Sequence, residues 1–244
     1  MLIMMDSYRI PAIHTRSCTI LGNEAMQKLN QRRVIVFGVG GVGSWCAESL
    51  VRTGLTHLTI VDSDTVCVTN CNRQLMAVSS TIGQSKVEAM KRRLNDINPD
   101  AQITALSTRY TPESAEQFHL EEYDVVIDCI DSLPDKADLI LRTSRLYPDT
   151  LLLSSMGAAL KKDPTKIQVA EFWKVEGDAL ARALRNRFKR SKQFPAHKFQ
   201  CVYSKEPPLP NLVEGDGNGS LVHITSIFGM MLSGLAIELL VVKG

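Results

Sequence analysis

The sequence predicts an α/β fold, a mostly parallel sheet with helices on both faces, followed by a C-terminal extension with a crossover loop and a terminal apolar helix. Three observations predict it. Apolar runs rich in β-branched residues recur up to Met156, stretches with helical spacing separate them, and the rhythm fails beyond that point. Strands alternating with helices imply right-handed crossovers and a parallel sheet covered on both faces. At 244 residues and 44% hydrophobic, the chain can bury one sizeable core. One domain over 1–244 is therefore expected, with an N-terminal arm (1–25), a core (26–156) and a substrate and crossover region ending in the terminal helix (157–244).

The elements follow in order. The first 25 residues show little periodicity and read as an arm. Strands are expected at 33–38 (RVIVFG), 58–62 (LTIVD), 101–106 (AQITAL), 124–130 (DVVIDCI) and 150–155 (TLLLSS). Helices are expected at 44–52, 84–97, 112–119 and 135–147. After Met156, GAALKKDPTKIQVAEF reads as a turn and one further strand, and DALARALRNRFKR as a basic helix. PPLPNLVEGDGNGS is crowded with proline, glycine and asparagine and reads as an irregular crossover loop.

Charge and cysteines narrow the class. Basic and acidic residues number 28 and 26, so a net +2 supplies no global field for nucleic acid and any basic surface must be local. Cys18, Cys46, Cys67, Cys71, Cys129 and Cys201 form no Cys-x-x-Cys pair, and the start lacks the pattern of a signal peptide, which suits reduced thiols in a cytoplasm. The tail from Leu221 to Val242 approaches the ~20 apolar residues of a membrane span. His223, Glu238 and several hydroxyls within it favour a buried terminal helix; membrane association is the alternative.

Gly38, Gly40 and Gly43 follow a strand, open a helix and match G-x-G-x-x-G, with Gly41 inside the turn. Such a turn lets backbone N–H groups approach a phosphate at a helix N-terminus, so the sheet reads as Rossmann-like and nucleotide-binding. Asp62, nineteen residues past Gly43 at a strand end, is placed to accept from a ribose hydroxyl. That much suits NAD equally. Asp64, the Asn70, Asn72, Arg73 and Gln74 of NCNRQ, and Lys86 opening a helix suit a triphosphate better, because its extra charge calls for cations and Mg²⁺. Asp131, past the fourth strand, is a candidate ligand for that Mg²⁺, although Asp131–Ser132 also reads as a helix cap. Asp128 reads as a strand end rather than a ligand contact. The set points to ATP.

GVGGVGSWCAESLVRTG, IVDSD, TNCNRQ, TIGQSKVEAM and VIDCIDS resemble, in order and spacing from Arg33 to Ser132, the ThiF/MoeB/HesA superfamily of ATP-dependent adenylating enzymes. RTGLTHLTIVDSDTVCVTNCNRQ, INPDAQIT, DPTKIQVAEFWK and CVYSKE look most like its tRNA threonylcarbamoyladenosine dehydratases. The resemblance implies ATP-dependent cyclisation of a threonylcarbamoyl side chain on tRNA through an acyl-adenylate, with net loss of one water. It implies phosphate contacts from the glycines, Asn70, Arg73 and Lys86, a ribose contact from Asp62 and a metal contact from Asp131. Arg73, Lys86 and Asp131 would act as the catalytic groups. It also implies a homodimer, in which an arginine of the partner's arm reaches the nucleotide; Arg16 is the candidate.

Departures from the wider superfamily matter too. Its sulfur-carrier activators commonly hold zinc through two Cys-x-x-Cys pairs, which this sequence lacks, so zinc is not expected. Cys201 sits where some relatives carry a reactive cysteine and is kept as an acyl or sulfur acceptor candidate beside the reading of a buried thiol; a cysteine-desulfurase or sulfur-acceptor partner stays open with it. Cys46 and Cys129 read as core fillers. From Arg182 to Arg190, RALRNRFKR, with Arg185, Arg187, Lys189 and Arg190, forms a local basic run that suits tRNA phosphates, with Phe188 and Phe194 available to stack on a splayed base. Two competing functions remain: adenylation of the C-terminus of a ubiquitin-like sulfur carrier, and a non-catalytic module that binds NAD or AMP.

Overall fold

The computed structural model describes residues 10–213 and 217–242. The first nine residues of the expected arm, and positions 214–216 of the expected crossover loop, lie outside the described residues. In chain order the elements are α1 (Thr15–Leu21), α2 (Asn23–Gln31), β1 (Arg33–Phe37), α3 (Gly43–Thr53), β2 (His57–Val61), α4 (Lys86–Ile97), β3 (Gln102–Leu106), β4 (Val125–Asp128), α5 (Leu133–Leu146), β5 (Leu151–Ser155), β6 (Ile167–Glu171), α6 (Ala179–Ser191), β7 (Gln200–Ser204) and α7 (Val222–Val242). The strands form one sheet in the order β3-β2-β1-β4-β5-β7-β6. Every ladder is parallel except β6 with β7, which is antiparallel.

Both sheet faces are covered, as the β-branched runs require. Val34 and Val36 of β1 join the core beneath α3, α4 and α7. Ile35 and Phe37 point the other way, into the core beneath α5 and α6. The chain leaves β1 toward β2 and β3, then returns to place β4 on the opposite side of β1. That reversal opens a crevice beyond the carboxyl ends of β1 and β4, the place where open α/β sheets bind ligands.

Three expectations are corrected. The later part of the arm is helical, with α1 and the start of α2 separated at Gly22: α2 turns Met26 and Leu29 into the core, and His14 is buried with its imidazole on the Val51 carbonyl at 3.2 Å. The helix expected at 112–119 is a pair of 3₁₀ turns, Ala115–Phe118 and Leu120–Glu122. Thr111 and Ser114 exchange side-chain bonds with each other's backbone N–H, and His119 breaks the run in a left-handed conformation at φ 45°. The third is β7, which the sequence reading did not assign; it inserts between β5 and β6.

The terminal apolar helix forms as expected. Among the described residues α7 is the one helix long and apolar enough to cross a membrane. Here it lies on the sheet, with Ile224, Phe228, Leu232, Ala236 and Leu240 buried along one stripe. At Gly229 a Cβ would stand 2.4 Å from the Val42 carbonyl, so only glycine lets α7 reach the start of α3. The Ser233 hydroxyl bonds to that of Ser49 at 2.7 Å and fixes the same contact.

Candidate nucleotide and substrate site

The crevice is a cleft of about 900 Å³. Its floor is the turn between β1 and α3. Gly38 has φ +85°, and a Cβ there would lie 2.7 Å from the Cys129 carbonyl. At Gly43 a Cβ would fall 1.8 Å from the Gly38 carbonyl. These contacts fold the turn so tightly that Gly40, Gly41 and Val42 line the cleft, and no side chain among the described residues caps the N-terminus of α3. The Ser44 N–H is taken by the Gly40 carbonyl at 3.2 Å, and the other amides of the first turn can face an anion.

Acidic and basic groups surround this floor. Asp62, at the end of β2, accepts the Val39 N–H at 2.8 Å and the Asp64 N–H at 2.9 Å, locking the two strand ends together. Lys86, at the first position of α4, is 6% exposed and pairs with Asp64 at 2.7 Å. The segment between β2 and α4 delivers the rest. Asn70 holds its turn by accepting the Cys67 N–H at 3.0 Å, while the Arg73 guanidinium donates to the Thr69 carbonyl and to Asn72 Oδ1, both at 2.9 Å. Gln74 is buried, and its Oε1 has no hydrogen-bond partner among the described residues. An unsatisfied buried acceptor in a cleft wall favours a ligand that donates to it.

Across the floor, the turn after β4 carries Asp131. Its carboxylate is exposed in the cleft and makes no hydrogen bond among the described residues; the Arg109 guanidinium is a nearby charge. Three residues earlier, Asp128 is completely buried. It pairs with the equally buried Lys136 at 2.7 Å, takes the Ser154 hydroxyl at 2.7 Å and accepts the Ile130 N–H at 3.0 Å. Lys136 Nζ also donates to the Ile130 carbonyl at 2.9 Å. Both backbone groups of Ile130, the residue before Asp131, are therefore held by buried charges. Asp128 itself does not line the cleft, in keeping with a strand-end role.

Several cleft residues escaped the sequence reading. Arg109, from the connection after β3, pairs with Asp135 at 2.6 Å. Asp178 caps α6 by accepting the Ala181 N–H at 2.8 Å and also takes the Gly157 N–H at 3.1 Å. Lys161 is buried with its ammonium on the Glu206 carbonyl at 2.5 Å, and burial lowers its pKa. Of these, only Asp178 had a local signal, an acidic cap before an apolar-periodic helix. The others meet at one sheet edge only after folding.

Other candidates fall elsewhere. Arg16 lies on the exposed side of α1 and does not line the cleft of its own chain. Cys201, on β7, is fully buried, and burial pushes its thiol well above the ordinary value. This corrects its candidacy as an acceptor, because thiolate and access are both lacking. Cys67 is exposed, and its hydrogen bonds to Thr69 lower its pKa. Cys201→Ala is expected to keep full turnover, and iodoacetamide should label Cys67 well before Cys201 in the folded protein, as read by peptide mass. In the basic helix, Arg187, Lys189 and Arg190 are exposed. Arg185 is not available in the same way, since its guanidinium donates to the Phe172 and Val175 carbonyls at 3.1 and 2.8 Å. Phe188 is fully buried, so it cannot stack on a base, whereas Phe194 is 44% exposed.

Known proteins resemble the chain over most of its length. The profile of the ThiF family matches residues 14–244. The tRNA threonylcarbamoyladenosine dehydratase of Bacillus subtilis is 42% identical over 195 residues, which cover 80% of this chain and 75% of that protein. The crystal structure of the Escherichia coli tRNA N6-threonylcarbamoyladenosine dehydratase with AMP superposes with a TM-score of 0.88 at 34% identity, covering 100% of this chain and 98% of that one. The same enzyme with ATP gives 0.87 at 34% identity, covering 99% and 98%.

Proposed function

The chain belongs to the ThiF family, and from that premise we propose that it is an ATP-dependent tRNA threonylcarbamoyladenosine dehydratase. The observation that carries this reading is the cleft at the β1/β4 reversal. There a helix N-terminus without a side-chain cap, the cations of Arg73 and Lys86, and the Asp131 carboxylate, which accepts no hydrogen bond among the described residues, face the same space. The relatives that are most informative carry this activity in their names, and the superposed enzyme binds ATP and AMP.

In this reading the amides of the glycine turn and the Arg73 and Lys86 cations hold the phosphates, with Asn70 and Gln74 beside them, and Asp62 receives the ribose. Lys86 is held ready by Asp64, so its ammonium needs little reorganisation when a phosphate arrives. The substrate's threonyl carboxylate attacks the α-phosphorus, an acyl-adenylate forms and pyrophosphate leaves. The carbamoyl group then attacks the activated carbonyl, closing the ring, expelling AMP and losing a proton. Neutralising charge between two anions is the main task, and no protein nucleophile is needed. The burial of Cys201 agrees with that and leaves the sulfur-carrier alternative without its acceptor on this chain.

A Mg²⁺ fits the residues present. No three His, Cys, Asp or Glu side chains converge among the described residues, but Mg²⁺ at nucleotides commonly takes one carboxylate together with phosphates and waters. Asp131, unpaired and facing the cleft, is the residue that would hold it, and the ion would supply charge neutralisation at the phosphates. The reading includes a homodimer, supported by the exposed Ile13 and Ile20 on the N-terminal segment, in which Arg16 would be presented to a second copy. The packing of α7 supports a core helix over a membrane anchor.

The test is to incubate the protein with Mg-ATP and tRNA bearing threonylcarbamoyladenosine, digest the RNA and weigh the nucleosides. Loss of one water mass together with AMP and pyrophosphate is the expected result. An unchanged nucleoside sinks the reading, and a sulfur carrier then becomes the next substrate to try.

A further inference from the structure

At the far end of α6 from the cleft, two large aromatic side chains lie exposed side by side. Trp173 is 39% exposed and Phe194 44%, with ring centroids 6.1 Å apart at 46°. Their setting is rigid. Trp173 packs edge-on against the buried Phe172 at 5.1 Å, and Phe172 stacks on Phe199 at 5.0 Å. On the other side, Arg145 donates to the Phe194 carbonyl at 3.1 Å, and the Ala196 N–H donates to Ser144 at 3.2 Å, so the segment after α6 is fastened to α5. Two neighbouring exposed rings cost free energy in water, and here the backbone is tied so as to keep them there.

The turn that brings Phe194 back is itself informative. Lys192 ends α6 in a left-handed conformation, φ 54°, where glycine is the favoured residue. A lysine there accepts strain and contributes a cation. α6 contains no acidic residue, and Arg182, Arg187, Lys189, Arg190 and Lys192 hold no carboxylate among the described residues. A merely solvated helix face usually intersperses both signs. One sign beside two open rings is the composition of a surface that tracks a phosphate backbone and stacks an unpaired base.

We propose that Trp173 and Phe194 form a stacking site for one unpaired base of the tRNA, with the exposed cations of α6 and Lys192 holding the adjoining phosphates. The inference rests on tRNA being the substrate. Ala179 and Leu180, at the start of α6, line the cleft, and a helix of this length spans about 20 Å. The site therefore engages a nucleotide away from the one being cyclised, and it acts on RNA binding rather than on adenylation.

The experiment measures tRNA affinity by fluorescence anisotropy at several salt concentrations for the wild type, Trp173→Ala, Phe194→Ala, Lys192→Gly and the pair Lys189→Gln/Arg190→Gln. Each aromatic replacement should weaken binding about ten-fold. Lys192→Gly should weaken it too while raising or preserving the melting temperature, since glycine accepts the turn without strain; that variant separates RNA contact from folding. The double charge variant should lower the salt slope by about 1 for each phosphate it no longer neutralises. The ATP KM should stay unchanged in all of them, and the tRNA KM should rise without loss of kcat. A wild type that removes water from the modified tRNA, with variants that bind it normally, overturns the stacking site alone. A wild type that neither binds nor alters the tRNA overturns the functional reading along with it.

Discussion

Asp131→Asn is expected to lower turnover by about two to three orders of magnitude and to leave the melting temperature where it is. The side chain is exposed in the cleft and holds no hydrogen bond among the described residues, so the fold loses nothing when its charge goes. The cleft loses a carboxylate that accepts no hydrogen bond among the described residues, and an amide is a weak ligand for a hard cation. Pyrophosphate release with saturating tRNA measures the effect. Normal turnover would remove Asp131 from the catalytic groups, and a fallen melting temperature would make it structural.

Lys136→Met is expected to do the opposite, destabilising the fold by about 3–5 kcal/mol, because it leaves the Asp128 carboxylate buried and unpaired. Asp128→Asn/Lys136→Met should recover much of that loss: the neutral amide can still accept the Ile130 N–H, and methionine refills most of the volume. Urea unfolding midpoints of the three proteins form the test. If Lys136→Met were as stable as the wild type, the pair would not be what braces the turn before Asp131. Two aspartates three residues apart are thus expected to respond oppositely, the exposed Asp131 in turnover and the buried Asp128 in stability.

Much of the cleft was legible before folding because the informative residues are local. The glycine spacing, the carboxylate at the end of the next strand and the basic residues of NCNRQ and GQSK all sit within short segments whose conformation a strand–turn–helix unit dictates. Arg109 and Lys161 gave no such signal. Each is an ordinary cation in its own segment and becomes part of the site only because β3 and the connection after β5 end at the same sheet edge. Phe188 and Phe194 show the limit most sharply: both are aromatic residues in one basic stretch, yet one is fully buried and the other open. The left-handed turn at Lys192 separates them, and nothing in the composition announces it.

Legible in the sequence were the parallel α/β architecture, five of the strands to within two residues, the glycine-rich turn and the apolar terminal helix, which follow from periodicity and from residue types that act within a few positions of one another; the family was legible through the resemblance of its ordered motifs. Only folding settles that α7 covers the sheet, that β7 enters between β5 and β6, that Cys201 is sealed, and that Lys136 neutralises Asp128. Those outcomes depend on which distant surfaces meet, and burial is a property of the whole chain's packing rather than of any segment within it.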